Sequence, residues 1–213
     1  MTLRDILDAA AKGVFPAPDG TTTVVPQMRE RDAGVLAFTA HTVVFTDEPE
    51  EWVRETLAAT DCDAFAASMN ARFLAAFMDR TGRSHDTIDL LTVASALPGE
   101  PPLALREIRD REHPRVTRAL IHRDDVRVWE AAGDTGGVLV LGRGIGGRWE
   151  AAIEVDEDVR HRGLGRQLAV AARHLVPEEY VWSQQSPGNA RSVRVFQAAG
   201  YRPVGSEALM LRC

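Results

Sequence analysis

The run Arg160-His161-Arg162-Gly163-Leu164-Gly165 combines residue types that can hold a phosphate group. An apolar run that ends at Val155 precedes it, and residues 163–175 carry apolar side chains at helical spacing. The turn therefore opens a helix, whose unpaired N–H groups and dipole favour an anion. Its glycines lack a Cβ and admit close approach to the main chain, and Arg166 adds positive charge. Alone, the turn fits an anion site and a plain helix start equally well.

A second block of spaced residues follows, and together the two blocks resemble the signature of the GNAT acetyltransferase superfamily. The acyl-coenzyme A motif of that family reads Arg or Gln, two residues, Gly, one residue, and Gly or Ala. Arg160, Gly163 and Gly165 match it. The later block of the family, an Asn, a small residue, an aromatic residue and Gly followed by an aromatic residue, is matched by Asn189, Ser192, Phe196, Gly200 and Tyr201. The resemblance covers roughly residues 104–211, and the first hundred residues match no motif.

The resemblance implies a binding site for acetyl-coenzyme A. The main chain of Ile153 and Val155 would pair with the pantetheine arm, as an added strand pairs with a sheet edge. Asn189 would lie near the pantetheine or the thiol, where the strands of Val155 and Trp182 diverge, although capping a helix is an equally good role for it. The amides from His161 to Arg166 would hold the diphosphate. The implied donor-binding residues are Ile153, Val155, Arg160, His161, Arg162, Gly163, Leu164, Gly165, Arg166, Asn189, Ser192 and Phe196.

Two glutamates are candidates for the catalytic base. Acyl transfer to an amine needs a neutral amine beside the thioester and a polarised carbonyl. The family places a carboxylate base on the strand before the turn, and alternation puts Glu150 and Glu154 on one face of that strand. Glu150 is closer to the family position. The alternative for each is a solvated carboxylate on a half-exposed strand.

The general acid is where the chain departs from the family. Many members have a tyrosine at the position of Phe196, which cannot donate a proton. Tyr201 is expected to pack in the core, and Ser183 and Ser192 are the remaining side-chain donors. Water is the further alternative, because a thiol with a pKa of about 8.5 is a tolerable leaving group. A tyrosine-acid mechanism therefore does not carry over.

Both halves of the chain mix strand-like and helix-like segments, so the fold class is α/β (α+β). The resemblance implies a GNAT-like domain over residues 103–213, a mixed, mostly antiparallel central sheet flanked by helices. Residues 1–100 are expected to form an additional N-terminal α/β lobe, either vestigial and acyltransferase-like or serving acceptor or dimer contacts. The finer predictions are a linker at 96–102, a helix over 64–78, amphipathic helices over 103–122, and closing strands over 201–204 and 208–211.

Composition excludes several classes of protein. The net charge of -6 and the pI near 5.5 argue against nucleic-acid binding. No segment has the length of a membrane span, and the first residues lack the apolar run of a signal peptide, so we predict a cytoplasmic protein with no membrane partner. Cys62 and Cys213 make no disulfide framework. The six histidines show no metal-ligand spacing, and no metal is expected.

Two further patterns have plain interpretations. Gly142, Gly144 and Gly147 satisfy the dinucleotide-binding fingerprint, but a strand-like segment over 149–155 follows instead of a helix. A hairpin turn is therefore predicted there. His41 lies in an apolar strand and is expected to be a buried histidine with satisfied hydrogen bonds rather than a catalyst.

The favoured hypothesis is an N-acetyltransferase. It would move an acetyl or acyl group from acetyl-coenzyme A to a primary amine of a small molecule or peptide, by direct attack in a ternary complex. The alternative, which Phe196 and the unassigned N-terminal lobe suggest, is a catalytically degenerate acyl-coenzyme A-binding or regulatory protein. A third hypothesis, an interaction protein with an empty cleft, requires both motif matches to be coincidental. The acceptor and the acyl chain are not specified by the sequence, and a homodimer is left open.

Overall fold

The structure, a computed structural model, describes residues 1–109, 112–133 and 136–212. The helices of this part of the chain are α1 Leu3–Ala11, α2 Glu50–Ala58, α3 Ala64–Ala67, α4 Ala71–Thr81, α5 Pro114–His122, α6 Leu164–Leu175 and α7 Ala190–Ala198. The strands are β1 Thr22–Val25, β2 Ala33–Phe38, β3 His41–Phe45, β4 Arg83–Ser84, β5 Ile88–Ser95, β6 Leu105–Ile108, β7 Asp124–Ala131, β8 Gly137–Arg143, β9 Trp149–Val155, β10 Tyr180–Gln185 and β11 Arg202–Arg212. Short 3₁₀ turns occupy Ile145–Gly147 and Glu157–Val159. The predicted α/β class is confirmed.

Two compact units make up the chain. The first contains Met1–Leu91 and the residues from Val204 onward, and the second contains Thr92–Pro203. The division falls within β5 and within β11. The last strand therefore groups with the N-terminal residues, and the candidate site residues from Glu150 to Tyr201 all belong to the second unit.

The first unit is a mixed sheet with helices against it. Its strands run in the order β1, β3, β2, β11 and the first part of β5, and β4 also pairs with β11. The β1–β3 pair is parallel, and β2 pairs antiparallel with both β3 and β11. Phe73 and Phe77 of α4 are buried against Val35, Val44 and Met210 of this sheet. Phe73 and Phe77 thus face the sheet as their spacing predicts, whereas Phe65, which the same four-residue spacing placed with them, is exposed on α3.

One predicted helix of the first unit is two helices. The helix expected over 64–78 is interrupted after α3, and α4 begins anew at Asn70, whose Oδ1 accepts a hydrogen bond from the Arg72 amide at 2.9 Å. Ser68 is buried, with its hydroxyl 2.8 Å from Thr42 Oγ. The apolar periodicity of this segment predicts one continuous helix. The buried hydrogen bond of Ser68 and the N-cap at Asn70 interrupt it.

The second unit carries the candidate site on a mostly antiparallel sheet. Its strands run in the order β5, β10, β9, β8, β7 and β6, and the pairs from β6 to β9 are antiparallel. The β9–β10 pair is parallel. Leu168 and Ala172 of α6 pack against this sheet in one apolar cluster. Val116 and Ala119 of α5 pack with Val140 of β8 in a second apolar cluster. A mostly antiparallel sheet flanked by helices is confirmed.

Two local predictions were wrong. The start of the segment 103–122 is strand β6, not helix, and the two expected closing strands are the single strand β11. In β6, Arg106 pairs with Glu130 and Glu107 pairs with Arg127 across β7. Charges that bridge two strands at an exposed edge look, in sequence, like the polar face of a helix.

Candidate functional site

The glycine turn joins the end of β9 to the start of α6. Two of its residues have left-handed backbone angles, His161 at φ 65° and Gly163 at φ 84°. Only glycine adopts this region without strain. A Cβ added at Gly163 would meet no atom within 4 Å. The backbone conformation, and not crowding, therefore calls for glycine here, and the space above the turn is open to a ligand.

Within the part of the chain that the structure describes, the first N–H groups of α6 have no side-chain cap. Gly163 is the N-cap residue of this helix, and no acidic residue lies in its first turn. The first helical hydrogen bond runs from the Gln167 amide to the Gly163 carbonyl at 3.1 Å. The amides of Leu164, Gly165 and Arg166 precede this bond and have no acceptor within the helix. An anion placed here would be favoured by these N–H groups and by the helix dipole.

The arginines of the turn differ in their contacts. Arg160 donates from Nε to the Val155 carbonyl at 3.0 Å and lies 3.9 Å from the Glu157 carboxylate. It therefore fastens the turn to the end of β9. Arg162 and Arg166 are exposed, and within the described residues neither forms an ion pair. These two arginines are the cations that remain available to an anion at the turn.

Strands β9 and β10 stop pairing before they reach the turn. Within the described residues, Trp182 opposite Glu150 is the one register pair between them. Beyond that pair β9 continues to Val155 and β10 continues to Gln185. Gly165 lies against the end of β9, since a Cβ there would sit 3.6 Å from Val155 Cγ2. The unpaired end of β9 thus lies beside the N-terminus of α6, and the divergence of the two strands that the GNAT resemblance implies stays a prediction.

The second motif block lies on α7 and at the start of β11. Asn189 caps α7 by accepting the Ser192 amide at 3.1 Å. The Phe196 ring is buried and makes an edge contact with Tyr201, with ring centroids 4.9 Å apart. Tyr201 donates to the Ala169 carbonyl at 3.2 Å, and burial raises the pKa of this phenol. The prediction that Tyr201 packs in the core is confirmed. Asn189 has the capping role, and its place near the pantetheine or the thiol, a role that capping does not preclude, stays a prediction.

Glu150 is buried within an ion-pair cluster. Its Oε1 accepts from Arg148 Nε at 2.8 Å, and its Oε2 accepts from Arg123 Nε at 2.9 Å. Burial alone would raise the pKa of Glu150, but the charges of Arg148 and Arg123 outweigh burial and hold this pKa below its usual range. A Cβ added at Gly144 would lie 2.1 Å from the carboxylate, so this glycine gives the cluster its room. A carboxylate stabilised on both oxygens is a weak base.

Glu154 is the more open of the two candidate carboxylates. Its side chain is 38% exposed, and its Oε2 accepts from Arg115 Nε at 3.1 Å. Arg115 belongs to α5, and Arg123 at the end of the same helix contacts Glu150. Both glutamates therefore face α5, and the predicted shared face is confirmed.

The partners of Glu150 were missed by sequence reasoning. Arg123 precedes it by 27 residues, and Arg123 Nη2 also donates to Gln184 Oε1 at 3.4 Å. The guanidinium of Arg148 lies 5.1 Å from the Trp182 ring centroid. A glutamate inside an apolar strand was the available signal, because a buried charge requires partners of opposite charge. Which arginines supply them depends on the fold.

Other sequence predictions fall outside the candidate site. The Gly142–Gly147 segment is a hairpin turn between β8 and β9, as predicted. His41 is buried, with Nδ1 2.9 Å from Asp19 Oδ1 and Nε2 3.0 Å from Thr23 Oγ1. The prediction of a buried histidine with satisfied hydrogen bonds is confirmed. Cys62 is exposed, and Cys213 lies outside the described residues.

Within residues 1–109, 112–133 and 136–212, no group of three or more His, Cys, Asp or Glu side chains is placed to hold a metal ion. No helix of the same residues is long and apolar enough to cross a membrane.

Comparison with known proteins gives structural similarity without sequence similarity. No family model and no curated protein matches the sequence. A GNAT-family acetyltransferase structure from Novosphingobium aromaticivorans is 15% identical with a TM-score of 0.42, covering 61% of this chain and 66% of that chain. A GCN5-related N-acetyltransferase from Kribbella flavida is 13% identical with a TM-score of 0.44, and the match covers 100% of this chain and 97% of that chain. One from Sphaerobacter thermophilus is 12% identical with a TM-score of 0.39, and the match covers 66% of this chain and 56% of that chain. The chain is thus similar in structure to solved GNAT acetyltransferases.

Proposed function

We propose that this chain is an acyl-coenzyme A-dependent N-acyltransferase. It would transfer an acetyl group from acetyl-coenzyme A to a primary amine of a small molecule or peptide. The observation that carries the proposal is the N-terminus of α6, which has no side-chain cap, beside the end of β9 that continues past its register pair with β10. The diphosphate would take the amides of the turn with Arg162 and Arg166, and the pantetheine arm would enter between the strands.

The residues of the turn fit this ligand. The space at Gly163 is open, and an exposed arginine stands on either side of it at Arg162 and Arg166. Ile153 and Val155 lie at the end of β9 where a pantetheine arm would pair with the main chain. The Val155 carbonyl already accepts from Arg160, so pairing at this residue would use its N–H or displace that arginine.

The transfer itself is a direct displacement at the thioester. The nitrogen of a neutral amine attacks the carbonyl carbon and forms the C–N bond, and the C–S bond breaks as the tetrahedral intermediate collapses. The sulfur leaves as a thiolate, and the nitrogen loses its proton. Glu154 is the better acceptor for that proton, directly or through water, because Glu150 is held ionised and bonded on both oxygens. Water protonates the thiolate, since Tyr201 is buried and bonded.

Isothermal titration with coenzyme A and acetyl-coenzyme A tests donor binding. We expect the Arg162→Ala and Arg166→Ala variants each to raise Kd by about tenfold, because each removes a hydrogen-bonding cation from the diphosphate. Arg72→Ala, an exposed arginine on α4 in the first unit, is the matched control and should leave Kd unchanged. Absence of binding by the native protein at millimolar ligand would overturn the proposal.

Turnover separates the enzyme from a degenerate binding protein. Phe196 and Tyr201, both buried, favour that second candidate because neither offers a proton donor to the opening. Release of free thiol with any member of a panel of primary amines establishes the enzyme. Tight binding of acetyl-coenzyme A without thiol release across the whole panel establishes the regulatory alternative.

A further inference from the structure

Arg123 bridges β9 and β10 at the place where their main chains stop pairing. It follows the last residue of α5 and donates from Nε to Glu150 on β9 at 2.9 Å. Its Nη2 donates to Gln184 on β10 at 3.4 Å. Gln184 lies two residues beyond Trp182, which is the register partner of Glu150. The guanidinium therefore joins the two strands on the side where their main-chain pairing ends.

The β9 end of this bridge is firmly held. Glu150 is about 95% buried, and its second oxygen accepts from Arg148 at 2.8 Å. Arg148 in turn lies over the Trp182 ring of β10, 5.1 Å from its centroid. Removing one partner of a buried charge cluster leaves the others uncompensated, which is strongly unfavourable. Arg123, itself 11% exposed, is thus fixed with respect to β9 and can hold Gln184 at a set position.

The opening needs such a spacer because parallel strands in register tend to continue pairing. Paired strands lie about 4.8 Å apart, and a third extended segment between them requires about twice that separation. A ligand that enters as an added strand therefore depends on the strands being kept apart before it arrives.

We propose that Arg123 is a positioning residue that sets the separation of β9 and β10. It thereby sets the width of the space in which the pantetheine arm would bind. This inference rests on the proposed function for its ligand, but the bridge itself exists without ligand. A guanidinium that merely neutralised Glu150 would act on β9 alone. The Gln184 contact is what distinguishes the two roles.

Variants can remove the β10 end and leave the ion pair intact. Gln184→Met has nearly the same shape but loses the hydrogen bonds of Gln184 to Arg123 and to Glu150, whereas the Arg123–Glu150 pair remains. Arg123→Lys is therefore the variant that tests Arg123 while the direct Glu150–Gln184 bond is kept. Arg123→Lys keeps the charge but, with a single nitrogen, cannot reach both strands in the same geometry. The matched control is Arg127→Ala, which breaks an Arg–Glu bridge between β6 and β7 of the same unit at 2.9 Å.

Amide hydrogen exchange of the ligand-free protein is the first measurement. We expect Gln184→Met and Arg123→Lys to accelerate exchange in residues 152–155 and 183–185, with global unfolding unchanged for Gln184→Met. Arg127→Ala should leave both segments as in the native protein. Unchanged exchange in both bridge variants would overturn the inference whether or not the protein binds coenzyme A.

Coenzyme A titration and steady-state kinetics are the second measurement. We expect Gln184→Met and Arg123→Lys to raise Kd by roughly twofold to thirtyfold, the range typical of residues that act through a neighbour. The loss in kcat/KM should appear mainly in KM, with kcat retained, because the reacting groups are untouched. A native protein that fails to bind coenzyme A refutes the proposed function, whereas native binding with unchanged Kd in both variants refutes the role of Arg123.

Discussion

Tyr201 shows at the scale of one residue why the chain needs a proton source other than a phenol. Its hydroxyl donates to the Ala169 carbonyl at 3.2 Å, its ring meets Phe196 edge-on, and it is 2% exposed. Burial raises the pKa of Tyr201, so the phenol stays protonated and out of contact with solvent. A general acid must reach the leaving group and be reprotonated. Tyr201 meets neither requirement.

Tyr201→Phe should therefore affect stability and not chemistry. The substitution removes one buried hydrogen bond, so we expect the free energy of unfolding to fall by about 1 kcal/mol. Urea denaturation measures this loss, and kcat with any working amine should be unchanged. Tyr180→Phe, at the other tyrosine of the chain, is the control and should be close to neutral in both measurements. A large drop in kcat for Tyr201→Phe with stability preserved would restore the tyrosine-acid mechanism.

At the scale of elements, the start of α4 after its break from α3 is capped by the side chain of Asn70. Asn70 starts α4 through its bond to the Arg72 amide at 2.9 Å, and this helix buries Phe73 and Phe77 in the core of the first unit. The direction of α4, and so the placement of both rings, is set where the helix begins.

Asn70→Ala should destabilise the protein by about 1 kcal/mol, the usual cost of losing an N-cap. The measurement is the urea midpoint, with the m-value unchanged. Asp79→Ala, at an exposed position near the end of the same helix, is the control and should cause no loss. Equal midpoints for Asn70→Ala and the native protein would show that tertiary packing alone starts α4.

Elements whose cause is local were predictable, and those whose cause lies elsewhere in the chain were not. The passage from β9 through the turn into α6 follows from apolar periodicity and two glycines, and it is found as predicted. Strand β6 was missed because its charges pair across β7. The bridge from Arg123 to Glu150 and Gln184 spans 27 and 61 residues of sequence. No pattern within one segment reveals contacts at that separation.

At the scale of the whole molecule, each unit has its own apolar core. The core of the first includes Ala208 and Met210 of β11, and the core of the second is drawn from residues between Ala94 and Tyr201. The turn, the strand opening and the Arg123 bridge all lie within the second unit. Loss of β11 beyond Pro203 should therefore act first on the unit that does not carry the site.

A chain that ends at Pro203 tests this division. We expect amide exchange to become fast in residues 1–91, because β11 lies between β2 and β5 and supplies core side chains there. Strands β8 to β10 and helix α6 of the second unit should keep slow exchange. Equally rapid exchange in both regions would show that the second unit does not hold its structure without the first.

Because β11 from Val204 belongs to the first unit, the two units can complete their folding at different times during translation. Residues 92–203 emerge as one uninterrupted stretch that contains all of the second unit. The first unit, although its initial 91 residues are made earliest, lacks the neighbour of β2 until the segment from Val204 has left the exit tunnel. The unit whose residues come first is thus completed last, and until then the edge of β2 that β11 will cover is open to pairing with other chains.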